Sequence, residues 1–424
     1  MTAAQSRTPP THEADAIHSL DEAMRRDALD CVMCGICVPH CPTFALSGNE
    51  ADGPRGRISL MLGIAQGDLM PDAAVLRHLD TCLTCRACEV VCPSGVHYGR
   101  LIDNARARLT LETDPAAQPR AAGRGFRLLR DQLLSRRRRL GAAFTLYRLA
   151  ARLGLGGPIR HLTGRLGQAL PRQPMAPQRP TITALTAKTK TSRGTVGLFI
   201  GCTGAAMNAP AVTAARQVIR AMGYEVITPS SQVCCGAMHV HSGEPETGRR
   251  LRESNAQTFL AAGVDTMIVI GTACRAELAA LEAGHDIKVR EITEWLLERD
   301  AAEWPELGRL DLQIAIHTPC SQRNHLRAPD ATRHLLERIP GLVLNELDGN
   351  ERCCGAAGLQ VLLYPNEAEQ LRQPKLEAIA RQAPDRVVSA NVGCATHLAA
   401  GADLIVAQPV ELLAEAISAA HPQP

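Results

Sequence analysis

Two cysteine runs constrain this chain more than any other feature. Cys31-x-x-Cys34-x-x-Cys37-x-x-x-Cys41 is closed by Pro42, and Cys82-x-x-Cys85-x-x-Cys88-x-x-x-Cys92 by Pro93. Three thiols two residues apart wrap one corner of a metal cluster in a single turn of chain. A fourth follows after three residues, and the proline redirects the backbone. This is the spacing of [4Fe–4S] ligation in two-cluster ferredoxins, where the fourth cysteine of each run serves the other cluster. The runs predict one cluster on Cys31, Cys34, Cys37 and Cys92, and a second on Cys82, Cys85, Cys88 and Cys41. Tetrahedral zinc also takes Cys-x-x-Cys pairs. Zinc sites usually draw two such pairs from far apart, however, and two complete runs each closed by Cys-Pro weigh against zinc. The interval from Cys41 to Cys82 leaves room for a helix, Arg57–Ala65, which favours a helical ferredoxin over the compact β-hairpin kind.

The chain carries 16 cysteines in all. No run of about 18 apolar residues exists to cross a membrane as a helix. The first residues lack the basic-then-apolar pattern of a secretory signal. The expected place is therefore the cytoplasm, where thiols stay reduced, so this many cysteines points to metal or redox chemistry and away from a disulfide framework. Aromatic residues are only 3 % of the chain, which argues against a surface that stacks on bases or sugars.

The remaining eight cysteines repeat. Cys202, Cys234-Cys235-Gly236 and Cys274 form one set; Cys320, Cys353-Cys354-Gly355 and Cys394 form another, displaced by 118, 119 and 120 residues. Three agreeing offsets indicate duplication of a whole domain. Each copy reads as alternating strands and helices: Val196–Ile200, Ala209–Met222, Tyr224–Thr228, Glu246–Ala262 and Thr266–Ile270 in the first, Leu312–Ile316 and Arg386–Ala390 in the second. That pattern predicts α/β modules with mainly parallel sheets. Cys202, Cys274, Cys320 and Cys394 then lie beyond the carboxyl ends of strands, where such sheets gather ligands.

The expected fold class is a multidomain α+β chain. Residues 1–115 form a helical ferredoxin domain in which Asp21–Ala28, Arg57–Ala65 and Asp72–Leu79 have helical spacing. Residues 116–193 form a basic helical connector and a linker marked by Pro171, Pro174, Pro177 and Pro180. Residues 194–310 and 311–424 form the two α/β modules. The formal net charge of +3 is unevenly spread: Arg120 to Arg193 carries +16, leaving −13 for the rest. Within it Phe126, Leu129, Leu133, Leu140, Phe144, Tyr147 and Leu149 interleave with Arg124, Arg127, Arg130 and Arg136–Arg139. A basic amphipathic helix suits an anionic membrane surface or an acidic partner. A solvated connector is the plainer alternative, and nucleic acid a remote one.

Several stretches carry a resemblance. They are Cys-Gly-Ile-Cys at 34–37 with Cys-Pro-Thr at 41–43, Asp52-Gly53-Pro54-Arg55-Gly56-Arg57-Ile58, Leu79-Asp80-Thr81-Cys82-Leu83-Thr84-Cys85-Arg86, and Ala390-Asn391-Val392-Gly393-Cys394-Ala395-Thr396-His397-Leu398-Ala399. From the first ferredoxin motif to its end, the chain resembles the iron–sulfur subunit of bacterial glycolate oxidase. The resemblance implies a subunit without catalytic residues of its own. It would pass electrons from partner flavin subunits, which oxidise glycolate to glyoxylate, toward a membrane quinone. The Cys-Cys-Gly motifs resemble a wider superfamily that includes heterodisulfide reductase, lactate-utilisation and anaerobic glycerol-3-phosphate dehydrogenase subunits. Some members end each repeat with Cys-x-x-Cys and hold a cluster on five thiolates. Here Gly271 and Asn391 stand at the first position of that pair. The set Cys202, Cys234, Cys235, Cys274 and the set Cys320, Cys353, Cys354, Cys394 are expected to carry an additional cluster, with buried free thiols as the alternative.

His317 and His397, three residues from Cys320 and Cys394, are expected to have local backbone partners, with a hydrogen bond to cluster sulfur as the other reading. Arg55 and Arg57 either face cluster charge or lie in a solvated turn. Gly154-Leu155-Gly156-Gly157 follows no strand and is no dinucleotide fingerprint. Walker and Gly-x-Ser-x-Gly motifs are absent from the sequence, so flavin must come from another subunit. The competing functions are an iron–sulfur subunit for lactate or glycerol-3-phosphate oxidation and, of another class, a zinc-stabilised interaction scaffold.

Overall fold

The computed structural model describes residues 11–112, 118–162, 192–204 and 206–421; the prolines assigned to the linker lie outside them. The chain divides into two compact units, Met1–Arg127 with His239–Glu246, and Leu128–Met238 with Thr247–Pro424. The architecture is mixed α and β, as the motifs predict: helices around the ferredoxin cysteines, and two parallel four-stranded sheets in the second half.

In the first unit, α1 (Thr11–Leu29), α2 (Pro54–Gln66), α3 (Ala73–Asp80) and α4 (Tyr98–Thr110) pack together. Met24, Met61, Leu79, Leu101 and Ile102 are fully buried between them. Pro54 opens α2, where its missing N–H costs nothing, and Gly67 closes it at φ +80°. Asp72 caps α3 by accepting from the N–H groups of Ala74 and Val75. The segment 239–246 belongs to this unit: His241 Nδ1 lies 2.9 Å from Asp103 Oδ1, and Thr110 Oγ1 donates to the Gly243 carbonyl at 3.1 Å.

In the second unit, α5 (Arg137–Arg152) precedes β1 (Thr195–Phe199), α6 (Ala209–Ala221), β2 (Glu225–Ile227), α7 (Pro245–Ala261), β3 (Thr266–Val269), β4 (Lys288–Glu291) and α8 (Ile292–Leu297). The second copy follows with β5 (Gln313–His317), α9 (Ala331–Leu336), β6 (Val343–Glu346), α10 (Pro365–Gln382), β7 (Arg386–Ser389), α11 (Val392–Ala399), β8 (Val406–Ala407) and α12 (Pro409–Ala420). The sheets run β2-β1-β3-β4 and β6-β5-β7-β8, every pair parallel. Strand order reverses at β1 and at β5, which places the ligand crevice at their carboxyl ends. The fourth strands, β4 and β8, and the helices after them carry no cysteine and went unassigned from sequence.

One hydrophobic core serves both copies, with Val218, Ile219 and Trp295 of the first against Leu335, Leu336, Leu413 and Ile417 of the second. Helix α6 packs on α12 and α8 on α9, so the first and last helices of each copy exchange partners reciprocally. This is the contact pattern of a two-fold pair built within one chain.

Both last helices begin with a reciprocal capping box, Glu291 with Glu294 and Gln408 with Glu411. Burial pushes the Glu291 carboxyl up to about 8 and Glu411 up to about 7. A raised carboxyl keeps its proton in the folded chain where the unfolded chain has lost it. Stability should therefore fall as pH rises from the ordinary glutamate range to about 8, and level off above it. Urea midpoints compared at pH 5 and 8 should show this decline, and Glu291→Gln with Glu411→Gln should flatten it.

Candidate iron–sulfur sites

Each ferredoxin run turns its thiols inward by the same device. Met33 and Gly35 have φ of +57° and +82°; Thr84 and Arg86, 51 residues later, have +49° and +56°. A left-handed residue on either side of Cys34, and again of Cys85, curls the loop so that successive cysteines face one side. Arg86 tolerates this without being glycine, and its side chain lies against Gly99, where a Cβ would come within 2.3 Å of Nε.

Two hollows result. One, of about 420 Å³ including its open mouth, is lined by Cys31, Cys34, Cys37 and Cys92. The other, of about 310 Å³, is lined by Cys41, Cys82 and Cys85. Cys88, Pro54 and Tyr98 line both. Burial, and then negative charge at Cys31, Cys92 and Cys34, pushes the Cys37 thiol up. For Cys88 the order is burial, then Cys85, Cys82 and Cys41. Thiols crowded this way repel one another as thiolates, and a bound iron cluster relieves that repulsion. The donor sets suit [4Fe–4S] clusters in number, type and enclosure.

Polar side chains line the second hollow beside its thiols. Arg57 is 1 % exposed, which removes the solvated-turn reading for it. Its guanidinium donates to the His78 carbonyl at 2.6 Å, Thr43 Oγ1 at 2.9 Å and Thr81 Oγ1 at 3.1 Å, and one nitrogen lies 3.9 Å from Cys41 Sγ. Although burial works against it, the negative charge of Cys82, Tyr98 and Cys41 holds this guanidinium firmly protonated. Tyr98 is buried and donates toward Cys82 Sγ at 3.7 Å. Arg55 behaves differently: it is part-exposed and donates to Glu50 at 2.7 Å and to the Met33 carbonyl at 3.1 Å. Val32, which lines the first hollow, and Ile36, two residues past Cys34, are more than half exposed, as is Leu29 two residues before Cys31, and Cys34 itself is exposed.

In the second half the four thiols of each repeat converge. Cys202, Cys235 and Cys274 surround Cys234 or one another at hydrogen-bonding range, and both Cys202 and Cys235 are pushed far up, first by the contact with Cys234. Cys320 is pushed up by Cys353, then by burial. Cys354 is pushed up too: its contact with Cys353 works downward, but the contact with Cys394 and burial outweigh it. The placement is the same in both copies. The cysteines sit three residues past the first strand, seven past the second and five past the third.

Two amides brace the sites. Gln232 accepts from the N–H groups of Ile200 and Gly201 and donates to the Leu198 carbonyl. Asn350, 118 residues later, accepts from Thr318 N–H and donates to the Ile316 carbonyl at 2.7 Å. Sequence reasoning missed this pair, although its offset matches that of the cysteines. Asn391 occupies the position where some related repeats have a fifth cysteine. It caps α11 through Gly393 N–H and donates to Ser321 Oγ at 3.0 Å and to Thr272 Oγ1 at 3.4 Å; Thr272, which also lies 2.6 Å from Ser321 Oγ, joins the first copy to the second.

The second repeat is more polar than the first. Lys375 is buried on α10, donates to the Gly349 carbonyl and faces Cys354 and Cys353. Arg323, on a π-turn that follows Cys320, donates to the Asn350 carbonyl. The residue matching Lys375 in the first copy is Asn255, a neutral amide bonded to the Cys234 and Leu251 carbonyls. His397 has a backbone partner, but not the local one expected: its Nε2 lies 3.2 Å from the carbonyl of Ala368 on α10, and burial lowers it to about 4. His317 has a side-chain partner instead: its Nδ1 lies 3.0 Å from the Ser389 hydroxyl, and burial, reinforced by Lys375 and Arg323, lowers it to about 3 and keeps the ring neutral.

Comparison with known proteins covers the regions that carry these thiols. A 4Fe-4S dicluster domain profile matches residues 27–96, and a cysteine-rich domain profile matches 196–279 and again 314–399. The chain is 32 % identical over 407 residues to a Bacillus subtilis protein named "Probable glycolate oxidase iron-sulfur subunit", covering 88 % of this chain and 89 % of that one. It is 29 % identical to the glycolate oxidase iron-sulfur subunit of Escherichia coli, covering 91 % and 93 %. A subunit of the anaerobic glycerol-3-phosphate dehydrogenase of Escherichia coli is 25 % identical, covering 92 % and 98 %. With paired ferredoxin runs, duplicated thiol sites and full-length similarity in agreement, the chain belongs to the family of glycolate oxidase iron–sulfur subunits.

Proposed function

We propose that the chain is the electron-transfer subunit of a complex that oxidises glycolate to glyoxylate at a flavin held by partner subunits. Two [4Fe–4S] clusters would be held by Cys31, Cys34, Cys37 and Cys92 and by Cys82, Cys85, Cys88 and Cys41. A further cluster site would lie in the second half, on the thiols of Cys202, Cys234, Cys235 and Cys274 and of Cys320, Cys353, Cys354 and Cys394. When bound, the clusters supply one-electron steps; the chain's own residues set their spacing, charge and exposure. The observation that carries this reading is the pair of adjoining hollows, each with its own thiol set and with Cys88 and Tyr98 between them. The exposed Val32 and Ile36 on either side of Cys34 suit electron exchange with another protein. Higher identity to the glycolate relatives than to the glycerol-3-phosphate relative favours glycolate.

Anaerobic co-purification of the tagged chain tests the reading. Flavoproteins should accompany it, and glycolate should bleach the cluster absorbance of the assembled complex. The chain stripped of flavoproteins should give no glycolate turnover with a dye acceptor; turnover there, or bleaching by glycerol 3-phosphate in place of glycolate, would reject it.

The basic helix supports a docking role toward an anionic membrane surface or an acidic subunit. No helix among the described residues is long and apolar enough to cross a membrane. On α5, Leu140 and Tyr147 face inward, while Leu146 and Leu149 are exposed, as is Leu153 just beyond the helix. Arg136, Arg138 and Arg139 are exposed near its start. An exposed leucine stripe beside arginines suits an interface between apolar and charged surroundings. Replacing Arg136, Arg138 and Arg139 with Gln should weaken association with anionic vesicles or with the flavin subunits, about 1 kcal/mol per charge at low salt. Flotation and pull-down at rising salt measure it.

A further inference from the structure

The two repeats assemble the same four thiols, but one matched pair of residues beside them differs in kind. Phe199 ends β1 and pairs in register with Val269 of β3. His317 ends β5 and pairs in register with Ser389 of β7. The first copy thus has an apolar pair where the second has a polar one, and both polar residues are within 1 % of complete burial. Burying an imidazole and a hydroxyl in place of apolar side chains costs stability unless the polar groups are used.

The geometry says what the imidazole faces. A ring nitrogen of His317 and the sulfurs of Cys354 and Cys394 all lie within 4.8 Å of one another. Nδ1 is beside Ser389 Oγ at 3.0 Å, so Nε2 is the ring nitrogen left to act as a metal donor. A histidine that binds metal through one nitrogen characteristically gives its other N–H to an oxygen, which fixes the ring. Bonds of about 2.3 Å to sulfur and 2.1 Å to nitrogen put donors on one metal ion up to about 4 Å apart. The three donors here are a small closure from that separation.

We propose that His317 is a fifth protein donor to the second repeat's cluster, beside Cys320, Cys353, Cys354 and Cys394, so that this centre is of mixed thiolate and imidazole ligation while the first repeat offers thiolates alone. The proposal rests on the reading that the second half holds an iron–sulfur cluster. The imidazole takes the place, in donor count, of the fifth thiolate that Asn391 cannot supply, and it enters from the neighbouring parallel strand, β5 and not β7. It also adds no negative charge to a site already crowded with thiols.

The full chain, produced without oxygen and labelled with ¹⁵N-histidine, tests this by pulsed EPR of the reduced protein together with iron, zinc and sulfide analysis. The expected result is iron beyond the about eight atoms of two ferredoxin cubanes, and a strong nitrogen coupling that changes with the histidine label. His317→Phe, which copies the first repeat, should abolish that coupling. His317→Cys should also abolish it while keeping the additional iron. Additional iron with no histidine-sensitive coupling, or a coupling that survives His317→Phe, would overturn the ligand assignment and leave the cluster in place. Iron limited to the ferredoxin complement, or zinc in its stead, would overturn both readings.

Discussion

Cys92→Ser is expected to erase the same reduced-state EPR signal as Cys34→Ser, and Cys41→Ser the same signal as Cys85→Ser. Each variant should lose about four iron atoms per chain and keep the other cluster. The reason is the crossing of the two runs in space. Cys92 stands 58 residues from Cys34 in sequence, yet both line one hollow with Cys31 and Cys37, and Cys41 lines the other with Cys82 and Cys85. Proline after each fourth cysteine starts this redirection: Pro42 opens a short helix, Pro42–Ser47, with Cys41 extended at its cap. Thr43, one residue on, accepts from Arg57 at 2.9 Å and holds Cys41 against that guanidinium. Glycolate-dependent electron delivery through the complex should fall at least about 100-fold in each variant, because loss of a ligand outweighs the loss of a group that only orients one. If Cys92→Ser silenced the signal that Cys85→Ser silences, each run would serve its own cluster.

What could be read from the sequence, and what could not, follows from where the information sits. The ferredoxin motifs are local: spacing of two and three residues points to the chemistry directly. The duplication is visible because eight cysteines mark it. Strands β1, β2, β3, β5 and β7 were legible as apolar runs leading to those cysteines. By contrast β4 and β6 are short and carry polar or charged residues, as in Lys288–Glu291 and Val343–Glu346, and β8 is only two residues long, Val406–Ala407. Arg57 shows the other limit. Nothing in Gly-Pro-Arg-Gly-Arg separates the part-exposed Arg55 from the buried Arg57; only the helical turn that places one outward and one between Cys41 and Cys82 does so. Lys375 was invisible for the same reason, since it reaches the site from α10 after a mid-helix proline, Pro374. The shared core of the two repeats depends on which helix face meets which, and pattern within one helix does not encode its partner.

Gly355→Ala is expected to be among the most damaging single-methyl changes in the second half, with Gly236→Ala close behind. Both glycines follow the paired cysteines with positive φ, +88° and +100°. A Cβ at 355 would come within 2.5 Å of the Ala368 carbonyl oxygen and 3.0 Å of Leu371 Cβ; at 236 it would come within 2.8 Å of the Gly248 carbonyl oxygen. In each repeat the Cys-Cys-Gly turn thus lies directly on the backbone of the following long helix, α10 or α7, and glycine is what permits the approach. Left-handed backbone costs an alanine about 1–2 kcal/mol, and forcing a methyl into a packed contact adds about 1–3 kcal/mol. A helix backbone cannot move aside as a flexible side chain can. Relief would have to come from the turn, which carries Cys353 and Cys354 away from Cys320 and Cys394. Gly358→Ala supplies the comparison: φ is +60° there and nothing lies within 4 Å of its would-be Cβ, so only the backbone cost applies. Urea unfolding should place Gly355→Ala about 1–3 kcal/mol below Gly358→Ala, and iron bound by the second half should fall in the first variant and not in the second. Equal stabilities for the two would mean that the turn and α10 are not in the contact on which this argument stands.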